Sequence, residues 1–191
     1  MRITPEPHWL RCRFVDVGPV LDRIAALTPA ATAGRGYLLV GIGGRGGSGK
    51  TTLARSIPGA QVVSTDEFWD GTGFELSRLR SEVFEPILNA EPARYHAYSW
   101  ELRRPLEQAR VVLPQGVIVV EGVCALHVLF RQAYDLRIWV DAPRELRLER
   151  GIERDGEGAR AVWETQWMPS EDRYVERDDP IPAAHLIVDG S

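Results

Sequence analysis

The 191-residue chain is predicted to be an α/β protein: a doubly wound parallel sheet of about five strands with flanking helices and a small lid. Three observations predict it. Short aliphatic runs alternate with stretches of helical composition, the pattern of a parallel sheet covered on both faces. A glycine-rich stretch, Gly43 to Gly49, stands between one such run and a helix start. At about 150 residues per domain, the length suits one core.

In order along the chain, residues 1–35 read as an N-terminal extension packed on the core. Pro5, Pro7, Pro19 and Pro29 break it, and 20–27 is apolar at helical spacing. Strands are expected over 37–42, 61–65, 117–120, 136–140 and 186–188. Helices are expected over 50–57, which stops before Pro58, and over 76–88, 124–134 and 144–154. The remainder, 36–191, forms one domain with an acceptor-binding insert at about 67–110 and a lid at about 150–170.

Composition narrows the functional classes. The chain is 44% hydrophobic with a net charge of −4, from 23 basic and 27 acidic residues that are intermixed. No basic face for a nucleic acid is implied. Aliphatic runs fall far short of the ~18 residues of a membrane span, and Met1 to Leu10 carries no signal-peptide core, so a soluble cytoplasmic protein is expected. Cys12 and Cys124 form no CxxC pair and the four histidines are scattered, which leaves reduced structural thiols and no zinc site. A homo-oligomer is compatible with all of this. Of the 23 basic residues, 22 are arginine, and the single lysine is Lys50.

That lysine lies in Gly44-Arg45-Gly46-Gly47-Ser48-Gly49-Lys50-Thr51, which satisfies GxxxxGK[ST] between a strand and a helix. The P-loop NTPase fold follows. Gly44, Gly46, Gly47 and Gly49 let the backbone curl so that its amides, with those of Ser48, Lys50, Thr51 and Thr52, face phosphate oxygens. Lys50 would reach the β and γ phosphates, and Thr51 would offer its hydroxyl to Mg²⁺. ATP and Mg²⁺ are the cofactors expected.

A metal-side acid is needed at the end of a neighbouring strand, and Glu121 follows Val117 to Val120. Asp66 closes the 61–65 strand about fifteen residues past the loop. In a parallel sheet it opens at the same edge, where it could act on a hydroxyl as general base or stand on the metal side. Its neighbour Glu67 is the alternative, and helix capping is the bland reading. In 144–154, Arg147, Arg150 and Arg154 share a helical sector ~60° wide, while Glu145, Glu149 and Glu153 occupy another ~80° wide. Arg150 and Arg154 suit a polyphosphate, and Arg160 follows in a glycine-rich flap at 155–161. Each arginine could equally be a solvated salt-bridge partner. Between Asp66 and Glu121, Trp69, Phe74, Tyr95, Tyr98 and Trp100 include candidates to stack on an acceptor, principally Trp69 and Tyr98, with Glu75 or Asp70 for its hydroxyls. The remaining aromatics read as core.

From Gly41 to Gly190 the sequence resembles the uridine kinase and phosphoribulokinase group of P-loop kinases, particularly short actinobacterial-type uridine kinase-like proteins. The phosphate loop carries the resemblance together with Ser64-Thr65-Asp66-Glu67-Phe68, Val119-Val120-Glu121-Gly122, 135–141 and 147–155. The resemblance implies ATP with Mg²⁺ and γ-phosphate transfer to a small-molecule hydroxyl. Asp66 then matches the general base, Thr51 and Glu121 the metal side, and Arg150, Arg154 and Arg160 the lid. Departures lie on the acceptor side. A His-Pro-Asp loop is replaced by Gly71-Thr72-Gly73-Phe74-Glu75-Leu76, with Glu75 nearest to its acid, and a Tyr-Asp-Phe by Tyr98-Ser99-Trp100. A nucleoside kinase is the leading expectation. The alternative is a regulatory NTPase or an ATP-binding protein without small-molecule kinase activity; a GTPase switch is disfavoured because NKxD needs a second lysine.

Overall fold

The computed structural model describes residues 11–13 and 17–191. Six parallel strands form the central sheet in the order β1 (Arg11–Arg13), β10 (Leu186–Asp189), β9 (Leu136–Asp141), β2 (Tyr37–Gly44), β8 (Gly116–Glu121) and β3 (Gln61–Ser64). The five expected strands are present, joined by the short edge strand β1. The rest of the extension before residue 17 and the thiol of Cys12 lie outside the described residues.

Strand β2 is buried at every position because it is central and covered on both faces. Its side chains alternate between two cores. Tyr37 and Leu39 join Phe68, Phe84, Phe130, Tyr134 and Trp139 on one face. Leu38, Val40 and Ile42 join Val20, Ile24, Leu53 and Ile57 on the other. The second face is covered by α1 (Gly18–Arg35), which runs longer than the 20–27 expected, and by α2 (Lys50–Ser56). Pro19 fits the first turn of α1, where its missing N–H has no intrahelical partner to lose, and Gly36 closes the helix in a left-handed conformation.

Helix α3 (76–88) covers the first face, and α4 (Arg144–Asp155) is followed by α5 (160–178). Both α3 and α5 contain a widened π-helical turn, at Arg80–Phe84 and Trp163–Trp167, just before Pro86 and Pro169. A proline ring presses on the carbonyl four residues back, and the wider turn relieves that pressure without ending the helix. The segment 124–134 is not the expected helix but a run of turns. Its amides are diverted: Val128 N–H goes to the Asp178 carboxylate and Leu129 N–H to the ring of His127.

The insert is an irregular hairpin. The antiparallel pair β4 (Ala93–Tyr95) with β7 (Arg110–Val112) encloses the pair β5 (Tyr98–Ser99) with β6 (Arg104–Pro105). Strand β5 packs beside the short 3₁₀ helix Thr65–Phe68 that leaves β3. Among the described residues no helix is long and apolar enough to cross a membrane.

Candidate active site at the carboxyl edge of the sheet

The sheet register brings the chemistry together. Ile42 on β2 and Ser64 on β3 both pair with Glu121 at the end of β8, so the phosphate loop, Glu121 and Asp66 leave the sheet at one edge. This is where ligands bind in open α/β sheets.

The loop is shaped by what packs on it. Gly47 has φ +74°, and a Cβ there would run into the backbone of Arg147. At Gly46 a Cβ would stand 2.6 Å from Glu171 Oε1 and 2.9 Å from the Trp163 ring. The Arg45 carbonyl accepts from Ser48 N–H at 3.2 Å and from Lys50 Nζ at 2.9 Å. Gly44 ends β2, Gly49 precedes α2, and Thr51 and Thr52 lie exposed in its first turn. Ser48 is fully buried and its hydroxyl has no partner among the described residues.

Lys50 is 7% exposed, and desolvation lowers its pKa against the opposing fields of Glu121, Asp66 and Glu171. Glu121 is buried and raised by desolvation, with Lys50 opposing. The Thr51 hydroxyl stands 3.3 Å from each Glu121 carboxylate oxygen. No cluster of three His, Cys, Asp or Glu side chains among the described residues could hold a metal alone. One hydroxyl beside one carboxylate fits Mg²⁺, which takes few protein ligands and completes its shell with phosphate oxygens and water.

Asp66 and Glu67 are neighbours with different surroundings. Glu67 is engaged, accepting from Tyr95 OH at 2.6 Å and pairing with Arg110 at 2.6 Å. The Asp66 carboxylate accepts no hydrogen bond among the described residues. It is exposed, yet the protein around it desolvates it enough to raise its pKa, opposed by Lys50 and Arg154.

The arginines divide. Arg147 is buried, donating to Ala142 O at 3.1 Å and pairing with Glu171 at 3.3 Å, so it faces away from the phosphate side of its helical sector. Arg150 donates to Gly190 O at 2.6 Å and Gly47 O at 3.4 Å, bracing the loop. Arg154 is held by Asp155 at 2.7 Å, and its charge is felt at both Asp66 and Lys50. Arg160 is on the surface with Glu157 and Glu164. The glycine-rich flap is a single 3₁₀ turn, Glu157–Ala159, between α4 and α5.

On the acceptor side, Trp69 stands 5.3 Å from Trp100 and 5.3 Å from Phe74, and Tyr98 meets Trp100 edge-on at 5.4 Å. Trp100 is half exposed. Glu75 pairs with Arg78 at 3.2 Å, and one Asp70 oxygen accepts from Thr72 and Gly73 amides in its own turn. Tyr95 is a core residue, as the bland reading held. Burial pushes the Cys124 thiol up to about 12, which disfavours the thiolate. Sequence reasoning missed Glu171, Asp172 and Trp163, because neither a Glu-Asp pair in a charged helix nor a lone tryptophan beside it carries a signal that it packs on the phosphate loop.

A model of the "Phosphoribulokinase / Uridine kinase family" matches residues 79–189, more than half of the chain and entirely downstream of the phosphate loop. The chain belongs to that family. Among family relatives, the uridine kinase of Borrelia garinii subsp. bavariensis is 27% identical over 137 residues, covering 61% of this chain and 66% of its own length. The chain spans about two thirds of such curated relatives. Two solved structures share the fold at TM-score 0.63: a possible uridine kinase from Bacillus stearothermophilus (21% identity, covering 90% of this chain and 100% of that one) and a protein described as a fructose transport system kinase from Silicibacter sp. TM1040 (20%, covering 86% and 98%).

Proposed function

We propose that the chain is an ATP- and Mg²⁺-dependent small-molecule kinase that transfers the γ-phosphate to a hydroxyl of a nucleoside or related metabolite. The unpartnered Asp66 carboxylate, beside a phosphate loop and next to an engaged Glu67, carries the reading. The domain over 36–191, with its insert at about 67–110 and lid at about 150–170, acts as the kinase unit, and the cytoplasm is its place of action.

Asp66 accepts the proton of the acceptor hydroxyl as that oxygen bonds to the γ-phosphorus and the bond to the bridging oxygen of ADP breaks. Desolvation moves its pKa towards neutrality, the direction that makes a better base. Bound Mg²⁺ supplies charge neutralisation on the phosphates, and Thr51 and Glu121 would hold it. The loop amides of Gly44 to Thr52 and Lys50 bind the polyphosphate, and Arg154, with Arg150 and Arg160 on the lid, offsets charge that develops in transfer. Trp69 and Tyr98 stack on the acceptor, and Glu75 accepts from its hydroxyls.

The test is ADP formation from MgATP against nucleosides, pantothenate, nicotinamide riboside and sugars, with a no-acceptor control. Stimulation by one class supports the kinase and names its acceptor. Tight MgATP binding with no stimulation across the panel, or ADP release independent of acceptor, would overturn it.

A further inference from the structure

Two consecutive acids on α5 grip two consecutive residues of the phosphate loop. Asp172 pairs with Arg45 at 3.0 Å, and Glu171 Oε1 accepts from Gly46 N–H at 2.9 Å. Glu171 is 6% exposed, and its other oxygen meets the buried Arg147. The two groups Gly46 N–H and Arg45 C=O belong to one peptide plane, which is rigid about its C–N bond. One end of that plane is therefore fixed by Glu171, and the other end holds Lys50 Nζ and Ser48 N–H.

We propose that Glu171 is a positioning residue for phosphoryl transfer, setting the orientation of Lys50 through the Arg45–Gly46 peptide plane. Trp163 backs the same plane, its ring lying against Gly46 on one side and Gly151 on the other. A rotation of the plane would turn the Arg45 carbonyl away from Lys50, freeing the ammonium, and would move the amides that follow it in the loop. Glu171 touches neither phosphate nor acceptor in this scheme; it acts through the backbone. The inference rests on the kinase reading for its consequence in transfer, and the linkage between Glu171 and Lys50 can be measured without nucleotide.

Because Lys50 is the only lysine, acylation of its amine can be followed by peptide mass spectrometry against the N-terminal amine alone. Three variants separate reach from charge. Glu171→Gln keeps an oxygen at the same reach but loses the charge facing Arg147. Glu171→Asp keeps the charge but is one methylene too short for Gly46. Glu171→Ala loses both. Each is measured in the free protein at a temperature where circular dichroism shows it folded, and MgATP affinity is read by calorimetry.

Glu171→Ala and Glu171→Asp are expected to raise the Lys50 acylation rate and weaken MgATP binding, each by roughly tenfold, with Glu171→Gln within about threefold of wild type on both. If Gln is as impaired as Ala while Asp is near wild type, the ion pair with Arg147 is what matters and the proposal is overturned. Lower melting temperatures with unchanged acylation and affinity would assign Glu171 to stability alone and also overturn it. If the Ala variant does not fold, the Asp and Gln pair decides. Failure of wild type to bind MgATP would sink the kinase reading, while the acylation rates would still decide the Glu171–Lys50 linkage.

Discussion

Gly151→Ala sets two effects of opposite sign against each other. Gly151 lies inside α4, where alanine is favoured over glycine by about 1 kcal/mol from backbone entropy and shielding. A Cβ at this position would stand 2.5 Å from both Cε2 and Cζ2 of Trp163 and 2.9 Å from Cδ2. The indole cannot retreat cheaply, since its Nε1 donates to Asp155 at 2.9 Å and its far edge already lies against Gly46. Overpacking costs about 1–3 kcal/mol, and contacts as short as 2.5 Å put this site in the upper half of that range, about 2–3 kcal/mol, so the clash wins and the variant should lose about 1–2 kcal/mol net. At roughly 2–4 °C per kcal/mol for a domain of this size, the melting temperature falls by about 2–8 °C. Thermal unfolding monitored by circular dichroism measures it. In a Trp163→Phe background the fused ring is gone, and Gly151→Ala should become neutral or stabilising by up to about 1 kcal/mol, a coupling of about 1–3 kcal/mol in the double-mutant cycle. A melting temperature that rises for Gly151→Ala in the native background would show that helix propensity alone governs the site and that Trp163 is not wedged.

Asp66→Asn should leave calorimetric MgATP affinity within a few-fold and lower acceptor-dependent ADP formation by about 10²-fold or more; equal turnover would remove Asp66 from the mechanism. Trp100→Ala should barely move the melting temperature, because the ring is half exposed, but should raise the KM of whichever acceptor is found; an unchanged KM would make the cluster with Trp69 and Tyr98 structural. Burial and then the field of Arg137 lower His185 to about 4. Its neutral form thus supports the fold fully above the ordinary value of 6.5, and that support is lost as pH falls from 6.5 through about 4. Asp66, Glu121 and Glu171 are raised and act with the opposite sign just above ordinary carboxylate values, so wild type must be compared with His185→Asn. Acid should destabilise wild type more steeply than the variant, and parallel curves of melting temperature against pH would refute the assignment.

What was legible in the sequence follows from what is periodic or stereochemically forced. The five strands could be placed because aliphatic runs in a parallel sheet have no solvent face to interrupt them, and the phosphate loop because its glycines are demanded by close approach, as Gly46 and Gly47 show. The segment 124–134 has helical composition but folds as successive turns, because its amides close short turns on its own carbonyls and those of Val128 and Leu129 go to Asp178 and His127. Arg147 shares a helical sector with Arg150 and Arg154, yet 3.6 residues per turn still leaves it facing a buried Glu171 that no spacing rule announces. The widened turns before Pro86 and Pro169 let those helices run through a proline, whereas Pro29, expected to be a break, lies inside α1 with no such turn.

The same contrast explains why phosphate-side residues are readable and acceptor-side residues are not. On the phosphate side, every group is placed by the sheet: Glu121 by its register with Ile42 and Ser64, and Lys50 by the loop that joins β2 to α2. On the acceptor side, Tyr98 and Trp100 sit on a hairpin of two- and three-residue strands outside the sheet, where no register with the sheet fixes them relative to Asp66, and Trp69 follows the short 3₁₀ helix that carries Asp66. A shared fold does not by itself fix an acceptor. Specificity must then be read from side chains that the fold does not dictate. Glu67 illustrates the point: it is removed from the chemistry by Tyr95 and Arg110, one from each outer strand of the hairpin, so the element that would receive the acceptor also leaves Asp66 as the free carboxylate.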